Sequence, residues 1–140
     1  MVVGWKSRLN DVIQNSQNKK FSWGDFDCFT FTNDCYEAVY GETLLDVKGG
    51  YDTTASAARY YKKRKEQFGV GGVIEFIDKK IDRCASKFIK AGDIVARAEP
   101  DGGVFGYALG FAVDMRIAFV SLEGLHTSER LPDDIVWRPQ

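Results

Sequence analysis

The stretch Phe21-Ser-Trp-Gly-Asp-Phe-Asp-Cys-Phe-Thr-Phe-Thr-Asn-Asp-Cys-Tyr-Glu-Ala-Val-Tyr-Gly41 decides how this chain folds. It reads as an aromatic approach, a Gly turn and then a helix. Asp27 is the predicted N-cap, because a short carboxylate accepts hydrogen bonds from the unpaired N–H groups of a first helical turn. Cys28 then falls at the first helical position. Cys28, Phe31, Cys35 and Val39 recur at helical spacing and form one inward stripe. Gly41 is the predicted stop just past the helix end.

A cysteine at a helix N-terminus has two readings. The unpaired N–H groups and the helix dipole favour its thiolate, which lowers the pKa and makes a nucleophile. Alternatively Cys28 is a small buried apolar residue, the common fate of a free cysteine. The adjacent Asp27 works against activation, since a neighbouring negative charge raises a thiol pKa.

Working outward, Trp5, Leu9, Val12 and Ile13 predict an amphipathic helix over about residues 4–16, followed by a polar loop from Asn15 to Lys20. Thr43 to Tyr51 reads as a connector closed by Gly49-Gly50. A second long helix begins at Thr53 or Thr54, with Ala55, Ala58 and Tyr61 on one face and Lys62-Lys-Arg-Lys65 on the other. Gly69 ends it, and the basic run reads as a solvated face. Val73, Ile74, Ile77 and Ile81 mark a third helix. Beyond Ala91 the period changes. Ile94 to Ala98 has strand character, and Pro100-Asp-Gly-Gly103 is a turn cluster. Val104 to Val113 and Arg116 to Leu122 are consecutive antiparallel strands joined around Asp114-Met115. Leu125 to Ser128 and Ile135 to Arg138 are short final strands. Helices first and a small antiparallel sheet afterwards is an α+β layout, with residues 1–140 as a single domain.

At 140 residues the chain is large enough for one real core. Its net charge of -1 and pI of about 5.8 give no basic footprint for nucleic acid or an anionic membrane. No apolar run approaches a membrane-spanning length, so no membrane insertion is expected. The start, Met1-Val-Val-Gly-Trp-Lys-Ser-Arg8, has no charged region followed by an apolar core. No signal peptide is therefore expected, and synthesis is expected in a cytoplasm. The cysteines are Cys28, Cys35 and Cys84, an odd number that argues against a disulfide framework. Cys28 and Cys35 lie roughly 10 Å apart along a helix axis, too far for a bridge. A lone histidine and the lack of a Cys-x-x-Cys pair argue against a metal site. Gly102-Gly103 lacks the Gly-Lys continuation of a phosphate loop, and no cofactor is expected.

Trp23-Gly24-x-x-Asp27-Cys28 resembles the nucleophile segment of the NlpC-type cysteine peptidases, a papain-like superfamily that cleaves peptidoglycan peptides. The chain is more closely similar to a phage-borne branch of small NlpC-like proteins of tail modules. That branch looks like a Phe-x-Trp-Gly-x-x-Asp-Cys start, a Gly-x-Tyr-x-Thr segment, a Gly-Asp-hydrophobic strand, an Ala-Leu-Gly strand and a terminal Trp-Arg. Here Gly50-Tyr51-Asp52-Thr53, Gly92-Asp93-Ile94-Val95, Ala108-Leu109-Gly110 and Trp137-Arg138 follow in that order. The resemblance covers nearly the whole chain. It implies a papain-like NlpC-type fold, with N-terminal helices, the cysteine helix among them, packed on the small C-terminal sheet.

A cysteine peptidase needs a thiolate, a histidine that takes and returns the proton, and a polar group that orients the ring. In the resembled peptidases the histidine opens a His-hydrophobic-Gly strand, and the matching triplet here is Ala108-Leu109-Gly110. Alanine carries no proton. The single histidine, His126, falls on a later strand, where it is either an edge-strand surface residue or a relocated base. Asp27, Tyr107 and Asp114 are other polar candidates near the cleft, none equal to imidazole near neutral pH. Trp23, Tyr107 and Ala108 are the expected groove residues. Trp23, Phe26, Phe29 and Phe31 read first as core.

Two functions follow as expectations. The first is a structural NlpC-like component of a phage or phage-derived tail tip or hub, carried in the virion tail, with a degenerate site and tail proteins as partners. The alternative is an active cysteine peptidase that opens peptidoglycan peptides during cell-wall penetration, with Cys28 as nucleophile and His126 as base.

Overall fold

The helix predicted from Asp27 forms because its first turn closes on itself. In the computed structural model, which describes residues 1–68, 72–99 and 106–140 apart from the side chains of Lys65, Gln67 and Phe68, Asp27 Oδ1 accepts from the Phe29 and Thr30 N–H groups, each at 2.9 Å. Thr30 Oγ1 accepts from the Asp27 N–H at 2.9 Å, so two otherwise orphaned donors are satisfied reciprocally. Gly41 ends this helix in the left-handed conformation, its N–H bonded to the Glu37 carbonyl.

In chain order the elements are α1 (Trp5–Ser16), α2 (Cys28–Tyr40), α3 (Thr54–Phe68), α4 (Val73–Asp78), β1 (Ile94–Ala98), β2 (Tyr107–Val113), β3 (Arg116–Ser121), β4 (Gly124–Ser128) and β5 (Ile135–Trp137). The strands form one antiparallel sheet in the order β4-β3-β2-β1-β5. The class is α+β, and α2 lies across β2 and β3. The predicted Gly69 stop, the Pro100 to Gly103 turn and the start of the Val104 strand lie outside the described residues.

Two helices differ from expectation. The helix expected from Val73, α4, stops at Asp78 rather than running through Ile81. The Asp78 carboxylate there accepts from the Trp137 indole at 2.9 Å and from Arg83 at 2.9 and 3.0 Å. Ile81 is still buried, in the turn that follows. On α3 Tyr61 packs on the core as expected and Ala57 is buried beside it, while Ala55 and Ala58 are exposed. Tyr60 lies tilted against Tyr51 with ring centroids 5.2 Å apart and donates to the Asp46 carbonyl. Lys62 and Lys63 are exposed, and Arg64 lies over the Tyr60 ring.

The two faces of the sheet carry different cores. Side chains alternate along a strand, so adjacent residues point to opposite faces. Ile94, Ala96, Leu109, Phe111, Ala118 and Val120 face α2 and join Phe31, Cys35, Val39 and Trp137 in the main core. Val95, Ile117, Phe119 and Val136 form a second cluster on the outer face, with Cys84, Ile89 and Ala108 packed against it. Arg97 covers that outer cluster, its guanidinium 4.8 Å from the Phe119 ring centre. Asp134 clamps Arg97 at 2.9 and 2.7 Å.

The edge at β5 is sealed. The Cys84 N–H donates to the Val136 carbonyl at 2.8 Å, and Arg138 makes a two-pronged pair with Asp93 at 2.9 Å on each prong. Asp93 is 1% exposed, so the guanidinium compensates a carboxylate that water does not reach.

Gly110 lies on the outer face. A Cβ there would come within 2.6 Å of the Phe119 ring and 2.8 Å of Ile117. Gly110→Ala is expected to destabilise the chain by about 1–3 kcal/mol, the cost of overpacking. The check is a lower urea midpoint at unchanged slope.

Candidate functional site

Two sequence segments far apart in the chain meet at the start of α2. Gly24 turns with φ +78, and a Cβ on it would sit 1.9 Å from the Tyr51 carbonyl oxygen, so the Gly50-Tyr51 segment packs directly on the Trp23-Gly24 turn. The Gly49 N–H donates to the Gly24 carbonyl at 2.8 Å. The Trp23 indole N–H donates to Thr54 Oγ1 at 3.0 Å. The rings of Phe21, Trp23, Tyr51 and Tyr60 follow one another edge to face or tilted, with centroids 4.8, 6.1 and 5.2 Å apart. Asn33 secures the connector behind them, accepting from the Leu44 and Leu45 N–H groups at 2.8 Å each.

Asp27 is at the centre of this contact and is 1% exposed. Besides its two cap bonds it accepts from the Gly24 N–H at 2.8 Å, and the Tyr51 phenol lies close enough to feel its charge. Burial, and then the Asp27 charge, push the Tyr51 phenol far above its ordinary range. Asp27 is thereby a structural cap. Its lone pairs are committed to the fold, and it does not orient a catalytic ring.

Cys28 sits next to this carboxylate, partly buried and unpaired. Burial pushes its thiol up to about 12. The Leu109 N–H opposes the shift by favouring the anion, while the Asp27 and Glu99 carboxylates add to it. A thiol held there is ionised to roughly one part in ten thousand at pH 8. The helix N-terminus that could activate Cys28 is outweighed by desolvation and two negative charges.

The other expected residues do not complete a catalytic set. Leu109 and Tyr107 lie on the α2 side of the sheet, and Ala108 lies on the outer side against Phe119 and Ile117. Ala108 is therefore no part of a groove at Cys28. The residues β2 turns toward α2 are Tyr107 and Leu109. His126 pairs with Phe119 across β3 and β4 and stacks on its ring at 5.9 Å, with 21° between the planes. Phe119 belongs to the outer cluster, so His126 is exposed on the face of the sheet away from Cys28. The relocated-base reading fails on this geometry, because a base must reach hydrogen-bonding distance of its thiol. Of the aromatic set, Phe26, Phe29 and Phe31 are core, and Trp23 is partly buried against Phe21, Tyr51 and Thr54. Asp114 is at the β2–β3 turn, the opposite end of β2 from Tyr107.

Glu99 and the Leu109 N–H are the site groups that sequence reasoning missed. Neither carries a sequence signal: one is an exposed carboxylate at a strand end, the other a backbone group. Among the described residues no three His, Cys, Asp or Glu side chains come together to hold a metal, and no helix is long and apolar enough to cross a membrane.

A family model matches residues 1–138. The chain belongs to DUF6950, a family defined as a domain of unknown function. No curated protein and no solved structure matches it. The site of this DUF6950 chain is accordingly defined by its own geometry: a capped helix start, a shielded thiol and an aromatic row beside it.

Because the folded thiol is raised above its ordinary value of 9.0, its contribution to stability is fully present below that value and is lost as pH rises toward about 12. Alkylation of Cys28 by iodoacetamide is expected to keep accelerating beyond the pH at which an ordinary thiol levels off. His126→Ala is expected to leave that profile unchanged. A plateau near or below the ordinary thiol value, or a profile that shifts with His126, would contradict this geometry.

Proposed function

We propose that this DUF6950 chain is a structural, NlpC-like component of a phage or phage-derived tail tip or hub, with a cysteine site that does not hydrolyse peptides. The observation that carries the second half is the placement of His126 behind the sheet, with Cys28 left neutral between Asp27, Glu99 and the buried Tyr51. Amide hydrolysis by cysteine needs a thiolate and a proton carrier in contact, and among the described residues neither is brought to the helix start.

The tail assignment rests on the ordered motifs. Their spatial pairing supports treating them as one unit. Trp23-Gly24 packs on Gly50-Tyr51, and Gly92-Asp93 is clamped by Trp137-Arg138. Each pair is a structural contact, which a chain retains for folding when it no longer needs a proton relay. The papain-like arrangement is part of the same proposal: a cysteine-bearing helix lying against an antiparallel sheet. The partners are tail proteins, and the chain is made in the host cytoplasm and carried in the virion tail.

The test uses purified muropeptides and a pull-down from a lysate containing the assembled tail. No cleavage product is expected from the wild-type chain, and tail proteins are expected to co-purify equally well with wild type and Cys28→Ala. Product that appears with wild type and disappears in Cys28→Ala would make the chain a peptidase. Failure to recover tail proteins would remove the tail assignment.

A further inference from the structure

We propose that the outward face of α3 is a docking surface for an acidic protein partner, with Arg59, Lys62 and Lys63 as the residues that meet its carboxylates. The surface rests on the reading of the chain as a tail component, and it names the part of the chain that the tail partner takes.

One side of α3 anchors it to the body of the chain. Ala57 is buried, and Tyr61 packs on the main core and accepts from the Val73 N–H at 3.1 Å. Tyr60 donates to the Asp46 carbonyl, and Arg64 lies over the Tyr60 ring, 5.6 Å from its centre. The start of the helix is tied by a reciprocal cap. The Thr53 N–H donates to Ser56 Oγ at 2.9 Å, and the Ser56 N–H donates to Thr53 Oγ1 at 3.0 Å. What α3 presents outward is therefore presented from an anchored helix.

The helical period puts Arg59, Lys62 and Lys63 opposite Ala57 and Tyr61, and all three are exposed. Arg59 stands three residues before Lys62 and four before Lys63, so both are its surface neighbours, about 5–6 Å away at Cβ. Among the described residues none of the three makes an ion pair or a side-chain hydrogen bond. Like charges at this spacing repel, and facing carboxylates relieve the repulsion. Glu66 is the one acid in the α3 sequence, and Asp52 before it is bonded to Ser56. The segment from Arg59 to Lys65 holds five of the chain's 19 basic residues and no acid, in a chain with 20 acidic residues. The positive charge is thus local to one helix face. Nucleic acid is drawn by a basic stripe on a basic domain, whereas this chain has a pI of about 5.8. A small cationic patch beside the exposed Ala55 and Ala58 suits a protein segment carrying Asp and Glu, since charge complementarity sets partner choice.

The experiment treats the full-length chain bound to assembled tails with a water-soluble carbodiimide, which couples a lysine amine to a carboxylate in contact with it. Mass spectrometry then identifies the joined peptides, and Lys62 or Lys63 joined to Asp or Glu of a tail protein is the expected product. In parallel, the triple variant Arg59→Glu, Lys62→Glu, Lys63→Glu is compared with Lys87→Glu, Lys90→Glu, which reverses two exposed lysines outside α3. Recovery of tail proteins is expected to fall roughly tenfold or more in the α3 variant, because like charges then face each other. The control is expected to recover them at the wild-type level. All five positions are exposed, so both urea midpoints are expected to stay near wild type. Wild type that recovers tail proteins without a Lys62 or Lys63 cross-link, or equal recovery by the α3 variant, would overturn the α3 surface and leave the tail reading intact. Equal loss in both variants would mean a general charge effect and would also overturn it. Recovery that disappears on nuclease treatment would make the occupant a nucleic acid and overturn the acidic protein partner. A wild-type chain that recovers no tail protein would overturn the tail reading, and this surface with it.

Discussion

The structure depends on one buried carboxylate. Asp27 accepts from three backbone N–H groups and lies beside the Tyr51 phenol while almost wholly removed from water. Its bonds start α2 and hold the Gly24 turn on which Tyr51 packs. A charge at that depth is tolerated only when its lone pairs are filled, so these three parts of the chain are interdependent. The same charge sets the chemistry next door. A helix N-terminus ordinarily favours a thiolate, but here the cap that creates the helix start places a negative charge against the cysteine. Folding and activation compete at adjacent residues, and folding prevails.

The second constraint is the two-sidedness of the sheet. Residues separated by one step on a strand are separated by the full thickness of the sheet in space. Leu109 points its side chain toward α2 and its N–H favours the Cys28 anion, whereas Ala108 and Gly110 lie beneath Phe119 and Ile117. His126 follows Phe119 onto the outer face. That face is not idle surface. Arg97, held by Asp134 and Ser128, covers the Phe119 ring and keeps a second apolar layer dry.

Much of this was legible in the residues. Asp27, the Cys28 to Val39 stripe and Gly41 gave α2 within a residue at each end, because capping and helical periodicity are local. Asp114-Met115 gave the β2–β3 turn for the same reason, and Asp114 takes the positive φ that such a turn requires. On α3 Tyr61 faces the core as its spacing implied, but the buried alanine is Ala57 rather than Ala58, and Tyr60 is engaged by Tyr51 and Asp46 across the connector, a long-range contact that no helical repeat records. Ala108 was taken for the groove because motif alignment gives position along a strand and not which side it faces.

The sequence by itself determined the helix starts and stops, the antiparallel strand set, the α+β class and the position of a cysteine at a helix tip. These follow from hydrogen-bonding side chains and hydrophobic periods within a few residues of one another. Only the tertiary structure decided that the cysteine is shielded, that Tyr51 and Glu99 belong to its surroundings and that His126 does not. Those outcomes turn on strand facing and on desolvation. Both are properties of what packs against a residue after the chain has closed, and no stretch of neighbours along the chain encodes them.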